Sequence, residues 1–105
     1  SGENIAAAEV EAVLCEHPGV ASAACVPVAD EIRGEEVKAF VLPAGAAPDP
    51  EVLLAHCRAR IAGFKVPRYL AFVTGFSLTP SQRVEKHKLP RDLGGSYDGA
   101  ARRWL

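Results

Sequence analysis

Proline and glycine cut this chain into short pieces, and that punctuation limits the folds open to it. Pro18-Gly19 closes one periodic segment, Pro43 to Pro50 (PAGAAPDP) is a connector without hydrophobic period, Gly63 follows a second periodic segment, and Gly94-Gly95 opens a tail. The first segment, Ile5–His17, is rich in Ala, Glu and Leu, and Val10, Val13, Leu14 and His17 fall at helical spacing. It reads as a helix with Asn4 as N-cap. The second, Glu51–Ala62, carries Leu53, Leu54, Cys57 and Ile61 on one face and Arg58 and Arg60 on another. It reads as a helix capped by Asp49, with Pro50 at its first position and Gly63 at its stop.

Strands fill the intervals. Val20–Val28 is short, small and apolar, with Pro27 placing its end at an edge or bulge. Ala29–Glu36 is a polar loop around Gly34, and Glu36–Leu42 alternates before turning apolar, which predicts a second strand antiparallel to the first. Tyr69–Val73 reads as a third strand, and His87–Leu93 as a short helix. These elements predict an α+β fold, a small sheet of about three strands flanked by helices. Val13, Leu14, Phe40, Leu53, Leu54, Ile61 and Phe72 are expected to share one core. A domain over residues 1–93 is expected, with residues 94–105 a tail held loosely unless Trp104 docks.

Composition narrows the function classes. At 105 residues the chain makes one domain with a modest core. Hydrophobic residues at 49%, charged residues at 24% and a net charge of −1 argue against nucleic-acid binding and against disorder. No apolar run approaches the roughly 20 residues of a membrane span, and the start carries no secretory pattern. Cys15, Cys25 and Cys57 share no ligand spacing, so they read as small hydrophobes in a reducing, cytoplasmic setting. No metal site is expected: His17 and His56 read as surface or boundary histidines and His87 as a spectator. Glu9 and Glu11 lie on different faces of their helix and so do not form a catalytic pair. The start without Met, and the absence of Met throughout, read as a fragment of a longer protein.

The stretch Leu78–Leu89 (LTPSQRVEKHKL) crowds Arg83, Glu85, Lys86, His87 and Lys88 around one Val. It reads either as a solvated loop or as a cationic loop offered to a phosphate or carboxylate.

Four segments then match one family in order. Gly2-Glu3-Asn4-Ile5 with Glu9-Val10-Glu11, Asp30–Glu35 with Val37–Phe40, Phe64–Arg68, and Thr79–Leu89 resemble the signatures of adenylate-forming acyl-CoA synthetases. The match is to their small C-terminal lid domain, with fatty-acyl and carnitine-type CoA ligases the most similar. The resemblance implies a two-step reaction. A carboxylate, fatty in this group, attacks the α-phosphate of ATP to give acyl-adenylate and pyrophosphate, and the thiol of CoA then displaces AMP. It implies ATP and Mg²⁺ bound mainly by an N-terminal adenylation domain absent from this chain, with that domain, CoA and acyl-adenylate as the lid's partners. In one pose the closing loop reaches the carboxylate and phosphate. In the other the Gly2-Glu3-Asn4 face reaches the pantetheine tunnel, with Arg33 and Lys65 toward CoA. The family's loop reads Thr-Pro-x-Gly-Lys-x-x-Lys, whereas here Gln82 stands at the Gly and Arg83 at the catalytic Lys. Lys86 is a possible substitute cation. The alternative is a binding or regulatory module that kept the fold and lost the chemistry.

Overall fold

A computed structural model describes the backbone of residues 3–105 and the side chains of residues 6–105. Two helices and five strands follow in the order α1 (Glu3–Cys15), β1 (Val20–Asp30), β2 (Gly34–Pro43), α2 (Pro50–Arg58), β3 (Tyr69–Phe72), β4 (Tyr97–Asp98) and β5 (Arg103–Trp104). The strands form one sheet in the order β1-β2-β3-β4-β5. Only the β2–β3 pairing is parallel, because the chain crosses back over the sheet through α2 between them. The fold is α+β as expected, but the sheet has five strands rather than three.

The β1–β2 hairpin is longer than its hydrophobic run. Its ladder continues through Val28↔Glu36 and Ala29↔Glu35 to Asp30↔Gly34, so the polar stretch read as a loop is mostly paired backbone. The turn closes because Asp30 Oδ2 accepts the N–H groups of Ile32 and Arg33 at 3.1 and 2.7 Å, and because Gly34 takes φ +83°. Pro27 is accommodated because β1 is an edge strand.

Helix α2 starts as its sequence demands. Asp49 accepts the Glu51 N–H at 2.8 Å, with Pro50 opening the helix. It ends at Arg58 instead of Ala62, since the N–H groups of Arg60 and Ile61 both turn onto the Cys57 carbonyl at 2.9 Å. In α1, Asn4 already lies inside the helix and is not its cap. The two histidines are boundary residues, as read. His17 Nδ1 accepts the Gly19 N–H at 3.0 Å, and His56 Nε2 lies 2.7 Å from the Val13 carbonyl.

The expected single core is two cores, one on each face of the sheet. Val10 and Leu14 of α1 and Leu53, Leu54 and Cys57 of α2 pack with Cys25, Ala39, Val41 and Leu70, with Val13, Ile61 and Phe72 at the margin. Phe40 faces the other way, with Val26, Val28, Tyr69 and Ala71, as the two-residue strand period requires. That second face is covered by the segment after β3, where Phe76, Leu89 and Leu93 pack. The expected helix over 87–93 is only a 3₁₀ turn at Lys86–Lys88, because Pro90 drives Leu89 to extended backbone at ψ 132°.

The tail is part of the sheet. Tyr97 and Asp98 pair with Leu70 and Tyr69, and Trp104 docks edge-on to Tyr97 at a centroid distance of 5.4 Å and 6.2 Å from Phe72. Tyr97 also donates to the Glu51 carboxylate of α2. A Cβ on Gly99 would meet Leu54 Cδ1 at 2.7 Å and the Arg68 carbonyl at 3.1 Å, so a larger residue here would have to displace the Leu54 side chain for this turn to lie against α2. Asp98 accepts from Arg68 at 3.2 and 3.3 Å and from the N–H groups of Ala100 and Ala101 at 2.9 and 3.2 Å. Burial penalises the Asp98 carboxylate, but Arg68 and these two N–H groups outweigh it and hold its pKa below the ordinary value.

Two expectations follow. Leu54→Ala should destabilise by about 2–5 kcal/mol, read by chemical denaturation, because Leu54 is fully buried in the α2–sheet core and lies against Gly99 of the tail. Asp98→Asn should cost about 1.5–3 kcal/mol near neutral pH, the scale of a hydrogen bond to a charged group. Because the folded-state pKa is depressed, that contribution is present above the ordinary value of 3.8 and lost as pH falls through the folded one. The wild-type advantage over Asp98→Asn should therefore shrink in acid melts; a gap that widens below pH 3.8 would contradict the assignment.

Candidate functional site

The closing stretch is an ordered hairpin rather than an open loop. Leu78 bridges Val84 in antiparallel fashion, and the Glu85 N–H donates to the Ser77 carbonyl at 2.9 Å. At the tip, the Gln82 N–H donates to the Thr79 carbonyl at 2.9 Å and the Thr79 N–H to the Arg83 carbonyl at 2.8 Å. This is a three-residue hairpin loop, a tight turn followed by one residue in the left-handed region. That residue is Gln82, at φ +68°. A side chain there costs on the order of 1–2 kcal/mol that glycine would not. Thr79 offsets part of the cost, since its Oγ1 accepts the Arg83 N–H at 3.1 Å and lies 3.1 Å from Ser81 Oγ.

The candidate cations are displayed differently. Arg83 is exposed at the base of the turn, and among the described residues its guanidinium makes no ion pair. Lys86 is held: its Nζ lies 2.6 Å from Glu11 Oε2, and the same oxygen accepts the Cys25 N–H of β1 at 2.8 Å. Glu11 is thereby fixed between α1, β1 and the loop, a connection that sequence reasoning missed. Lys65 is paired with Glu9 at 2.7 Å, and Arg33 lies 3.9 Å from Glu36 while remaining largely exposed. His87 is exposed, consistent with a spectator.

Lys65 and Lys86 come together on the rim of one open cavity of about 450 Å³. Ala6, Ala7, Val10, Val26 and Val37 form its apolar wall, with Arg91, Glu35 and Phe64 beside the lysines. Arg33 instead lines a second depression of about 350 Å³ with Arg58, Arg68 and Phe64. Arg83 lines neither. The proposed CoA-facing pair, Arg33 and Lys65, is thus divided between two hollows, with the exposed Phe64 ring common to both. Gly2 lies outside the described residues; Glu3 and Asn4 begin α1, and their side chains lie outside the described set.

Arg68, in sequence only the last residue of the Phe64–Arg68 motif, is the charged hub of this side of the domain. It reaches Asp98, Asp30 at 3.5 Å and Glu36 at 3.9 Å. The signal that could have found it is its position between the acidic cluster 30–36 and the single acid Asp98, at the entry of a buried strand. Burial pushes the Cys25 thiol well above the ordinary thiol range and the Cys57 thiol up to about 11, which disfavours the reactive thiolate at both; Cys15 is exposed. Among the described residues, no group of three His, Cys, Asp or Glu side chains converges to hold a metal ion, and no helix is long and apolar enough to cross a membrane.

Comparison with known proteins bears on this geometry. The chain is 44% identical over 93 residues to the medium-chain acyl-CoA ligase ACSF2, mitochondrial, of Mus musculus, covering 88% of this chain and 15% of that protein. The solved amide bond synthetase McbA from Marinactinospora thermotolerans superimposes with a TM-score of 0.74 at 44% identity, over 78% of this chain and 17% of that one. The o-succinylbenzoate CoA synthetase of Bacillus subtilis, solved with its acyl-adenylate intermediate, superimposes with a TM-score of 0.77 at 26% identity, over 85% of this chain and 18% of that one. The chain therefore spans less than a fifth of the length of these relatives. The family model of the AMP-binding enzyme C-terminal domain matches residues 9–83, from the helix that carries Glu11 to the loop that carries Arg83, and the chain belongs to that family.

Proposed function

We propose that residues 1–93, completed by the strands of the 94–105 tail, are the C-terminal lid of an ATP-dependent acyl-CoA ligase. The lid works with an N-terminal adenylation domain on a fatty carboxylic acid. The observation that carries this reading is the hairpin Ser77–Glu85, which projects Arg83 as an exposed cation that makes no ion pair among the described residues. A cation held on rigid backbone needs no reorganisation when charge builds on the attacking carboxylate and α-phosphate. The medium-chain acid in the name of the ACSF2 relatives supports a fatty substrate.

Arg83 and Lys86 divide the work in this reading. The guanidinium presents a planar fork suited to two oxygens at once, whereas the family's lysine offers a point charge. Lys86 is neutralised by Glu11 and braces the loop instead of entering the reaction. The cavity wall beside Lys65, with Glu3 and Asn4 at the start of α1, Gly2 preceding them in sequence and Arg33 in the neighbouring depression, is the surface turned to CoA in the second step. ATP and Mg²⁺ belong to the partner domain: the chain has no glycine-rich phosphate loop, and its described side chains offer no ligand set for the ion. Three free cysteines, Cys25 and Cys57 buried and Cys15 exposed, support a reducing compartment such as the cytoplasm; the ACSF2 relatives are described as mitochondrial.

The test separates the two half-reactions in the complete polypeptide that carries this chain. Arg83→Ala should lower acyl-adenylate formation by roughly 10²–10³-fold, the scale of one preorganised donor. Thioester formation from supplied acyl-adenylate should survive. Lys86→Ala should leave chemistry nearly intact and lower thermal stability. The 105 residues supplied alone should release pyrophosphate only at background. A large adenylation loss in Lys86→Ala with none in Arg83→Ala would transfer the role to Lys86. Equal small effects in both would favour the non-catalytic module, a reading that Gln82 and Arg83 at the family's Gly-Lys positions support.

A further inference from the structure

The second face of the sheet contains one charge that its alternation does not explain. Lys38 stands in β2 between Val37 and Ala39, on the same face as Phe40, and is only 1% exposed. Val26 and Tyr69 stand opposite it on the neighbouring strands, and the same face carries the apolar cluster of Val28, Phe40 and Ala71 with Leu89 and Leu93 of the returning segment. An apolar side chain would satisfy this position, and a buried ammonium is costly unless its donors are met. Nζ donates to the Asp92 carbonyl at 2.9 Å and sits 4.6 Å from the centroid of the Phe40 ring. Among the described residues, no carboxylate forms an ion pair with it. The cation is spent on a single backbone oxygen of the loop's return.

That oxygen lies in an otherwise weakly held stretch. Residues 89–95 contain no helix or strand and are mostly exposed. Arg91 donates to the Pro27 carbonyl of edge strand β1 at 3.1 Å, and Leu89 and Leu93 supply the apolar contacts. Among the described residues, Lys38 is the sheet side chain that reaches out from beneath to bond this backbone. Upstream of it the chain runs directly into the 3₁₀ turn at Lys86 and the hairpin that presents Arg83.

We propose that Lys38 is a positioning residue for the closing loop: from inside the sheet it pins the Asp92 carbonyl and so fixes the return segment on which the Arg83 hairpin stands. The proposal rests on the reading that this hairpin serves adenylation, but the anchor itself can be measured without activity. Burial lowers the Lys38 pKa, with Asp92 opposing, as expected of a cation held mainly by a neutral oxygen.

The experiment uses the complete polypeptide. Lys38→Met keeps the length and fills the apolar face while removing the donor. Hydrogen exchange of peptides covering residues 86–96 should quicken at least about tenfold, while peptides covering Ala39–Val41 keep their protection, so that the loss is local rather than global. Single-turnover acyl-adenylate formation should fall roughly 10–100-fold in rate with the KM for ATP unchanged, since a displaced cation misses the reacting oxygens. Transfer to CoA from supplied acyl-adenylate should be unaffected. In an Arg83→Ala background, Lys38→Met should add little further loss, because both act through one hairpin. Lys38→Arg, which retains a buried donor, should recover most of the loop's protection. Unchanged exchange at 86–96 in Lys38→Met overturns the anchor. Quickened exchange with fully multiplicative losses in the double variant overturns its action through Arg83. Should Lys38→Met fail to fold, Lys38→Gln, whose donor falls short of Asp92, is read by the same exchange, and undisturbed loop protection there also overturns the proposal.

Discussion

The guanidinium of Arg68 joins the parts of this domain that chain connectivity alone would leave apart. It sits at the entry of β3, where its N–H donates to the Val37 carbonyl and its own carbonyl accepts from Gly99, so its backbone is shared by β2 and the tail. Its side chain then gathers Asp98 from β4, Asp30 from the hairpin end and Glu36 from β2. Three carboxylates from three strands would repel one another without it, and Asp98 is nearly sequestered from water. The ring of Tyr69 lies 5.0 Å from the guanidinium and closes its inner side. The only parallel pairing in the sheet is thereby locked at its first residue by a charge cluster.

Local chemistry made some elements legible and left others hidden. The Asp49-Pro50 start of α2 could be read because cap and first turn depend on adjacent residues, and the structure shows that hydrogen bond. The β1–β2 hairpin was legible in its apolar half; its polar half pairs through backbone, which carries no hydrophobic signal. Strands β4 and β5 are two residues each, too short to show a period. Their one signal was Asp98-Gly99 between Tyr97 and Trp104, a turn dipeptide between aromatics. The two-sided core escaped because helix faces and strand faces were pooled: Phe40 and Leu54 are both buried, on opposite sides of one layer.

The candidate site divides in the same way. The departure at positions 82 and 83 was visible as a substitution, and its physical meaning appears in the backbone: position 82 is left-handed, which explains why a glycine suits it. The partners of the lysines were not visible, because Glu11 and Lys86, or Glu9 and Lys65, are brought together only by the packing of α1 against β1 and the loops. Such exposed or half-exposed pairs contribute modestly to stability. Their effect here is on geometry, since they decide which cations stay free for an anion. Lys38 was passed over as an ordinary strand residue, since alternation alone does not reveal what lies above a sheet face.

The late position of β4 and β5 in the chain sets an order of assembly. The β1–β2 hairpin closes across a three-residue turn, Glu31–Arg33, and can form as soon as it is made. The free edge of β3, and the side of Leu54 that Gly99 covers, must wait for the last residues. At the usual pace of synthesis, the roughly 30 residues between Phe72 and Trp104 take about 2–6 s to appear. For that interval the nascent domain presents an unpaired strand edge beside an uncovered leucine, the combination that chaperones recognise and neighbouring chains can invade. Any upstream domain already folded on the same polypeptide would be the nearest surface available to shelter it.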